Sequence, residues 1–223
     1  MTSRTRHPAA APALINRRSL LQAGGCAALM PLMAAARGAW LPQPGTPTSR
    51  DAPSRILFDR VLFDRHQPAA VAFGRAAQVA GLPAEPIGTD LTALWNELSL
   101  RWRQRPTALA GLTSEPVGLY LQLLAQDAGM RLVLRASHTP LRDGRIRHYL
   151  TGPRATLQQT ALLDAPERWP IGALALLRRC PAELSSKATL EHISPSCVGA
   201  TLRERLVSWV LAPVARDRNA QRV

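Results

Sequence analysis

The chain has 223 residues, of which 28 are basic and 15 acidic, so its formal charge is +13. All basic residues except Lys187 are arginines, dispersed among apolar residues without a run of five or more like charges. This dispersion favours a solvated basic surface and argues against a nucleic-acid partner.

The N-terminal segment has the layout of an export signal. Residues 16–21 read Asn-Arg-Arg-Ser-Leu-Leu, and an apolar stretch from Gln22 to Ala36 follows at once. Four arginines and no acidic residue precede that stretch, as is typical of a signal peptide. The segment resembles a twin-arginine (Tat) export signal, with Arg17 and Arg18 as the paired arginines. The resemblance implies recognition by the Tat export machinery, folding before export, and a mature protein in the periplasm.

The apolar stretch favours cleavage over permanent anchoring. It is diluted by a glutamine and two glycines and is shorter than the roughly 20 apolar residues of a membrane-spanning helix. Ala34–Ala36 supplies small residues for a signal peptidase, which predicts a signal peptide at 1–36 and Arg37 as the first mature residue. An alternative processing site at Cys26 faintly resembles a lipoprotein box. It is disfavoured because the preceding apolar region is short and Ala23 replaces the usual leucine.

The mature chain is long enough for one domain and short for two. Residues 37–53 are rich in proline and turn formers, which predicts a linker. A domain is predicted at 54–215, followed by a basic, frayed tail at 216–223. At its start, Ile56–Arg60 is repeated almost letter for letter by Val61–Arg65. Side chains along a strand alternate between its two faces, so a repeat with a period of five residues places equivalent residues on opposite faces. This disfavours a functional repeat, and we interpret this segment as one buried strand.

The first half of the domain is predicted to consist of βα units, because short apolar runs alternate with longer helical patterns. Gly81 and Gly129 are the stop signals of two helices, and Asp90 is the N-cap of the helix between them. That helix carries an apolar stripe, interpreted as core packing, at Leu91, Leu94, Trp95, Leu98 and Trp102. The other elements predicted here are helix 68–80, strand 85–88, strand 107–110, turn 111–114 and helix 115–128.

The second half carries weaker signals. They predict strand 132–135, a hairpin turn at Asp143-Gly144, strand 146–150, helices 155–164 and 170–179, and strand 205–211. The predicted fold class is α/β: a single, three-layer domain with a mostly parallel sheet built from βα units and an antiparallel addition near the C-terminus.

Candidate ligand-binding residues follow the predicted strands, because open parallel sheets bind ligands outside the carboxyl ends of their strands. The polar residues at these places are Asp64, His66, Asp90, Thr113, Ser114 and His138. Thr113 and Ser114, with the first N–H groups of the third helix, would hold a carboxylate or phosphate, while His138 or Asp64 handles a proton. The alternative is helix capping alone, worth about 1 kcal/mol for each residue.

Catalytic and cofactor motifs are absent from the sequence. A triad of Asp64, Ser114 and His138 is an alternative, although the Gly-x-Ser-x-Gly motif of hydrolases is missing around Ser114. No Gly-x-Gly-x-x-Gly follows the first strand, which disfavours a dinucleotide site. The histidines form no HExxH or paired-cysteine pattern. We therefore predict neither a metal nor a cofactor.

Two cysteines, Cys180 and Cys197, remain after the predicted signal cleavage. In an oxidising compartment an even pair predicts a disulfide bond. The alternative is two unpaired small apolar side chains.

These observations predict a periplasmic α/β protein without catalytic activity, which either binds a small anionic ligand or serves as an accessory subunit of a co-exported enzyme. No stable membrane anchor is expected after cleavage. The alternative is a small hydrolase or transferase that uses Asp64, Ser114 and His138.

Overall fold

The computed structural model of the chain describes residues 54–165, 168–183, 185–195 and 204–214. The predicted signal peptide, linker and basic tail, and Cys197, lie outside these residues. The described elements follow in chain order: β1 Phe58–Asp64, α1 Pro68–Val79, β2 Ala84–Ile87, α2 Thr92–Gln104, β3 Ala108–Ser114, α3 Glu115–Asp127, β4 Met130–Pro140, β5 Ile146–Pro153, α4 Arg154–Leu157, a 3₁₀ turn Thr160–Leu163, α5 Trp169–Leu177, β6 Lys187–Ser194 and β7 Leu206–Pro213.

The strands form one seven-stranded mixed sheet in the order β2-β1-β3-β7-β4-β5-β6. β1 pairs in parallel with β2 and β3. The other four neighbouring pairs are antiparallel, because β7 inserts between β3 and β4, and β5 and β6 continue the sheet beyond β4. The α/β class is confirmed, but the antiparallel part is larger than the addition that the sequence predicts.

Local stop signals end the elements where the sequence predicts them. Gly81 and Gly129, which follow α1 and α3, have φ angles of 74° and 70°. This left-handed backbone is the usual helix stop and favours glycine. Gly144, with φ of 79°, lies in the predicted hairpin turn between β4 and β5. These three predictions are confirmed.

Two apolar clusters lie on opposite faces of the sheet, and β1 contributes to both. Val61 and Phe63 join the cluster that includes α1 and α5, through residues such as Phe73. Leu62 joins the cluster that includes α2 and α3, through residues such as Leu98. A strand with helices on both faces reads as a continuous apolar run, which is why this strand is visible in the sequence.

β6 was not predicted. This strand lies at one end of the described sheet, and most of its residues are exposed on both faces. It therefore lacks the alternation of buried and exposed residues on which sequence-based assignment depends. Among the described helices, none has the length and apolar character that crossing a membrane requires.

Candidate functional site

The topology leaves a crevice at the carboxyl ends of the parallel strands. β1 lies between β2 and β3, and its helix, α1, packs on one face of the sheet. The helices that follow β2 and β3, namely α2 and α3, pack on the other face. The connection after β1 therefore leaves the sheet towards one face, and the connections after β2 and β3 leave towards the other. Open α/β sheets bind ligands where neighbouring connections diverge in this way.

A cavity of about 600 Å³ lies between the first turns of α2 and α3. This volume lies within the range of small-molecule sites. Leu91 and Trp95 line it from the α2 side, and Val117 and Tyr120 line it from α3. We call it the α2–α3 cavity. Two of the predicted site residues, Asp90 and Ser114, also line this cavity.

Asp90 is the charged residue of the cavity. Its Oδ1 accepts a hydrogen bond from the backbone N–H of Thr92, the first residue of α2, at 2.9 Å. The same contact holds the pKa of Asp90 below its usual range, so Asp90 is ionised at neutral pH. The N-cap position of α2 is Leu91, and no side chain caps the helix. The prediction of Asp90 as the N-cap is therefore wrong by one residue.

Thr113 does not reach the cavity. It is fully buried, and its Oγ1 accepts a hydrogen bond from Trp209 Nε1 and donates one to the carbonyl oxygen of Ser114, each at 3.1 Å. Ser114 precedes α3 and caps no N–H with its side chain. The Thr113 hydroxyl is thus engaged inside the structure, and the predicted pairing of Thr113 and Ser114 around an anion does not form.

The start of α3 already carries a negative charge. Glu115 is its first residue and Pro116, which has no N–H, is its second. Arg135 donates a hydrogen bond to Glu115 Oε1 at 2.7 Å, and Arg205 donates one to Oε2 at 3.3 Å. These contacts, chiefly that from Arg135, hold the pKa of Glu115 below its usual range. The carboxylate is therefore ionised beside the helix N-terminus.

Asp64 is the last residue of β1 and His66 follows it, and neither residue lines the α2–α3 cavity. Asp64 Oδ1 accepts a hydrogen bond from the backbone N–H of His66 at 2.9 Å, which is a turn-forming contact. His66 lines a groove of about 770 Å³ along α1, together with Arg65, Val79 and others. The structure thus brings Asp90 and Ser114 together and leaves Asp64 and His66 elsewhere.

His138 lies in the middle of the sheet rather than at a strand end. The sequence predicts that its strand ends at residue 135, whereas β4 runs to Pro140. His138 is fully buried, and Nδ1 and Nε2 contact His148 Nδ1 at 2.6 Å and Ser208 Oγ at 2.9 Å. Within the described ranges, no hydrogen bond joins it to Ser114 or Asp64. The relay of a catalytic triad is therefore not formed.

The contacts of His138 belong to a polar chain that crosses four strands, which we call the buried histidine chain: Ser208 of β7, His138 of β4, His148 of β5 and Ser194 of β6. Ser194 Oγ donates to the carbonyl oxygen of Ile146 at 3.3 Å, so it accepts from His148 Nε2. His148 Nδ1 then accepts from His138 Nδ1, and His138 Nε2 accepts from Ser208. With the hydrogen bonds donated in this one direction, all four side chains of the chain have partners.

Both histidines of this chain are neutral. Burial, and secondly the electrostatic interaction with His148, hold the pKa of His138 well below its usual range. Burial, and secondly the electrostatic interaction with His192, lower the pKa of His148 to about 3. His192 itself contacts Asp164 Oδ1 through Nε2 at 2.6 Å.

In the part of the chain that the structure describes, no group of three or more His, Cys, Asp or Glu side chains could hold a metal ion.

Cys180 is a buried, free thiol. Burial raises its pKa to about 12, so the reactive thiolate is absent at neutral pH. Its predicted partner, Cys197, lies outside the described residues, and the disulfide bond stays a prediction.

The aromatic lining of the cavity is the part of the site that the sequence does not predict. Trp95 belongs to the apolar stripe of α2, which is interpreted as core. Leu94, Leu98 and Trp102 of that stripe are buried, whereas Trp95 is only partly buried and lines the cavity. Trp95 lies at the margin of the stripe, directly after Leu94, and this marginal position is the one sequence signal that indicates its partial exposure. The chain matches no family model, curated protein or solved structure.

Proposed function

We propose that the chain is a periplasmic protein, exported folded by the Tat machinery, that binds a small organic ligand in the α2–α3 cavity. The observation that carries the proposal is a cavity of about 600 Å³ at the carboxyl ends of β2 and β3. A three-layer, single-domain arrangement agrees with the two apolar clusters on opposite faces of the sheet.

The lining supports binding rather than catalysis. Apolar and aromatic walls with a few polar groups are typical of small-molecule sites. A hydrolytic reaction would require a nucleophile and a base within hydrogen-bond reach. In the described part of the chain, Ser114 has no histidine partner, because His138 uses both ring nitrogens within the buried histidine chain.

A fragment screen by NMR on residues 37–223 tests this role. We expect hits to shift the signals of Trp95 and Val117 together, because both line the cavity. Val117→Phe fills the cavity and should abolish these shifts, whereas Val79→Thr, outside it, should leave them intact. Hits that cluster elsewhere, or that persist in Val117→Phe, would contradict a ligand site between α2 and α3.

The accessory-subunit role has support from a second region. The groove of about 770 Å³ along α1 is mostly apolar, and Val79 and Ile171 on it are 91% and 47% exposed. Exposed apolar patches mark protein contacts. If the protein serves a co-exported enzyme through this groove, one enzyme should copurify with the wild type and be lost with Val79→Asp. Recovery of a lone monomer would count against this role.

Export is tested separately. Residues 1–53 fused to a reporter that folds in the cytoplasm should direct it to the periplasm. Arg17→Lys combined with Arg18→Lys should retain the reporter in the cytoplasm, because the paired arginines carry the resemblance. Export that persists in the double variant would contradict the Tat route.

A further inference from the structure

The charge of the α2–α3 cavity indicates the class of ligand. Among the described residues that line it, Asp90 is the charged one, and no Lys, Arg or His contributes. Its carboxylate is ionised, since the hydrogen bond from Thr92 lowers its pKa. The cavity is therefore locally negative, although the whole chain carries a formal charge of +13.

Two aromatic side chains accompany this carboxylate. Trp95 lines the cavity from α2 and Tyr120 lines it from α3. The π face of an aromatic ring attracts cations, and tryptophan does so most strongly. Leu91 and Val117 add apolar wall, which suits the carbon skeleton of a ligand. A carboxylate with aromatic and aliphatic walls is a lining for an organic cation.

The α2–α3 cavity offers few unoccupied N–H groups or cationic side chains to an anion. The positive N-terminus of a helix attracts anions, but both helices that open onto the cavity already have carboxylates in place. The N–H of Thr92 at the start of α2 already donates a hydrogen bond to Asp90. Glu115 stands in the first turn of α3, where Pro116 also removes one N–H. The two arginines near this turn, Arg135 and Arg205, both contact Glu115.

We propose that the α2–α3 cavity binds an amphipathic organic cation, in which an ammonium group lies against Asp90 and the ring of Trp95 and an apolar body fills the rest of the cavity. This inference rests on the proposed function of the cavity as the ligand site. It replaces the anionic ligand that the sequence predicts, because the residues predicted to hold an anion, Thr113 and Ser114, do not combine to do so.

Three probes of matched size test the charge preference: 3-phenylpropylammonium, 3-phenylpropan-1-ol and 3-phenylpropionate. Each is titrated into residues 37–223, with the NMR shifts of the cavity residues as the readout. We expect the ammonium to bind at least about tenfold more tightly than the carboxylate, since an exposed ion pair and a cation–π contact each contribute a few-fold. The alcohol should fall between them.

Asp90→Asn tests the role of the carboxylate while preserving the turn before α2, because the amide oxygen of asparagine accepts the same hydrogen bond from Thr92. We expect it to weaken ammonium binding a few-fold, by the contribution of the ion pair, and to leave alcohol binding unchanged. Asp127→Asn, at the far end of α3, makes the same change of charge outside the cavity and should alter none of the affinities. Trp95→Leu should weaken the ammonium more than the alcohol.

The outcomes separate this inference from the proposed function. Equal binding of all three probes at the cavity, or tightest binding of the carboxylate, overturns the cation preference and leaves a ligand site in place. Ammonium binding that is as strong in Asp90→Asn as in the wild type also overturns it. If no probe shifts the cavity residues at millimolar concentration, the inference and the proposed site both fail.

Discussion

Mild acid is expected to destabilise the protein through the buried histidine chain. Both of its histidines are neutral in the folded protein, and the pKa of His148 is lowered from 6.5 to about 3. In the unfolded chain each histidine takes up a proton below about pH 6.5. Because the unfolded state then binds more protons, the free energy of unfolding falls as the pH falls from 6.5 towards the folded pKa.

The size of the effect follows from the shift. Each pH unit below 6.5 costs about 1.4 kcal/mol for one histidine that stays neutral when folded. At pH 5, His148 alone should lower the free energy of unfolding by about 2 kcal/mol. His138, whose pKa burial also lowers, adds to this loss in the same direction. A loss of about 2 kcal/mol is already a substantial part of the 5–15 kcal/mol typical of a domain.

Urea denaturation of residues 37–223 at pH 7.5, 6.5, 5.5 and 5.0 measures this dependence. The comparison is with a variant that carries His138→Leu, His148→Leu, Ser194→Ala and Ser208→Ala, which removes the chain without leaving a hydroxyl unpaired. His66→Gln is the matched control, because His66 is exposed and outside the chain. We expect the wild type and His66→Gln to lose stability in parallel, whereas the variant without the chain should change much less.

Equal pH dependence in the wild type and the variant without the buried histidine chain would refute a role for these histidines in acid destabilisation. A wild-type free energy of unfolding that stays constant from pH 7.5 to 5.0 would refute it as well. A lower absolute stability of the variant would not, because the prediction is for the slope of the free energy of unfolding with pH.

Three further predictions concern the scaffold. Gly172→Ala should cost about 1–3 kcal/mol in urea denaturation, because a Cβ at Gly172 would overlap the carbonyl oxygen of Leu162; an unchanged midpoint would contradict this packing. In the presence of a reductant, iodoacetamide should label Cys180 only after unfolding, since the thiol is buried and its pKa is about 12; rapid labelling of Cys180 itself in the folded protein, located by peptide mass spectrometry, would count against it. Arg60→Leu should cost about 1 kcal/mol at low salt and less in 1 M NaCl, because Arg60 contacts two glutamates, including Glu97 at 2.6 Å; a salt-independent loss would point to packing instead.

The parallel part of the fold could be predicted because local signals coincide with burial. β1 packs against helices on both faces, so its apolar run is continuous. Gly81 and Gly129 adopt the left-handed backbone that ends helices. At these positions the residue type is determined by the local backbone conformation or by burial on both faces of the strand, and both leave a pattern that is visible in the sequence.

The antiparallel part and the site depend on distant pairing. No local pattern indicates that β7 lies between β3 and β4, since its pairing with β3 joins residues about a hundred positions apart. Its pairing with β4 extends that strand past residue 135 and buries His138. Two residues that line the cavity, Asp90 and Ser114, could be predicted, because a polar residue after an apolar strand pattern is a local signal. Trp95 and Tyr120 meet only when α2 and α3 pack on the same face.

The position of β7 has a consequence during synthesis. This strand is made last among the described elements, yet it holds β3 on one side and β4 on the other. Until residues 206–213 have left the ribosome, both neighbours present bare edges that invite pairing with other chains. A chain truncated before Leu206 should therefore aggregate rather than persist as a smaller domain. If the chain is exported folded, as proposed, export has to wait until this strand completes the sheet.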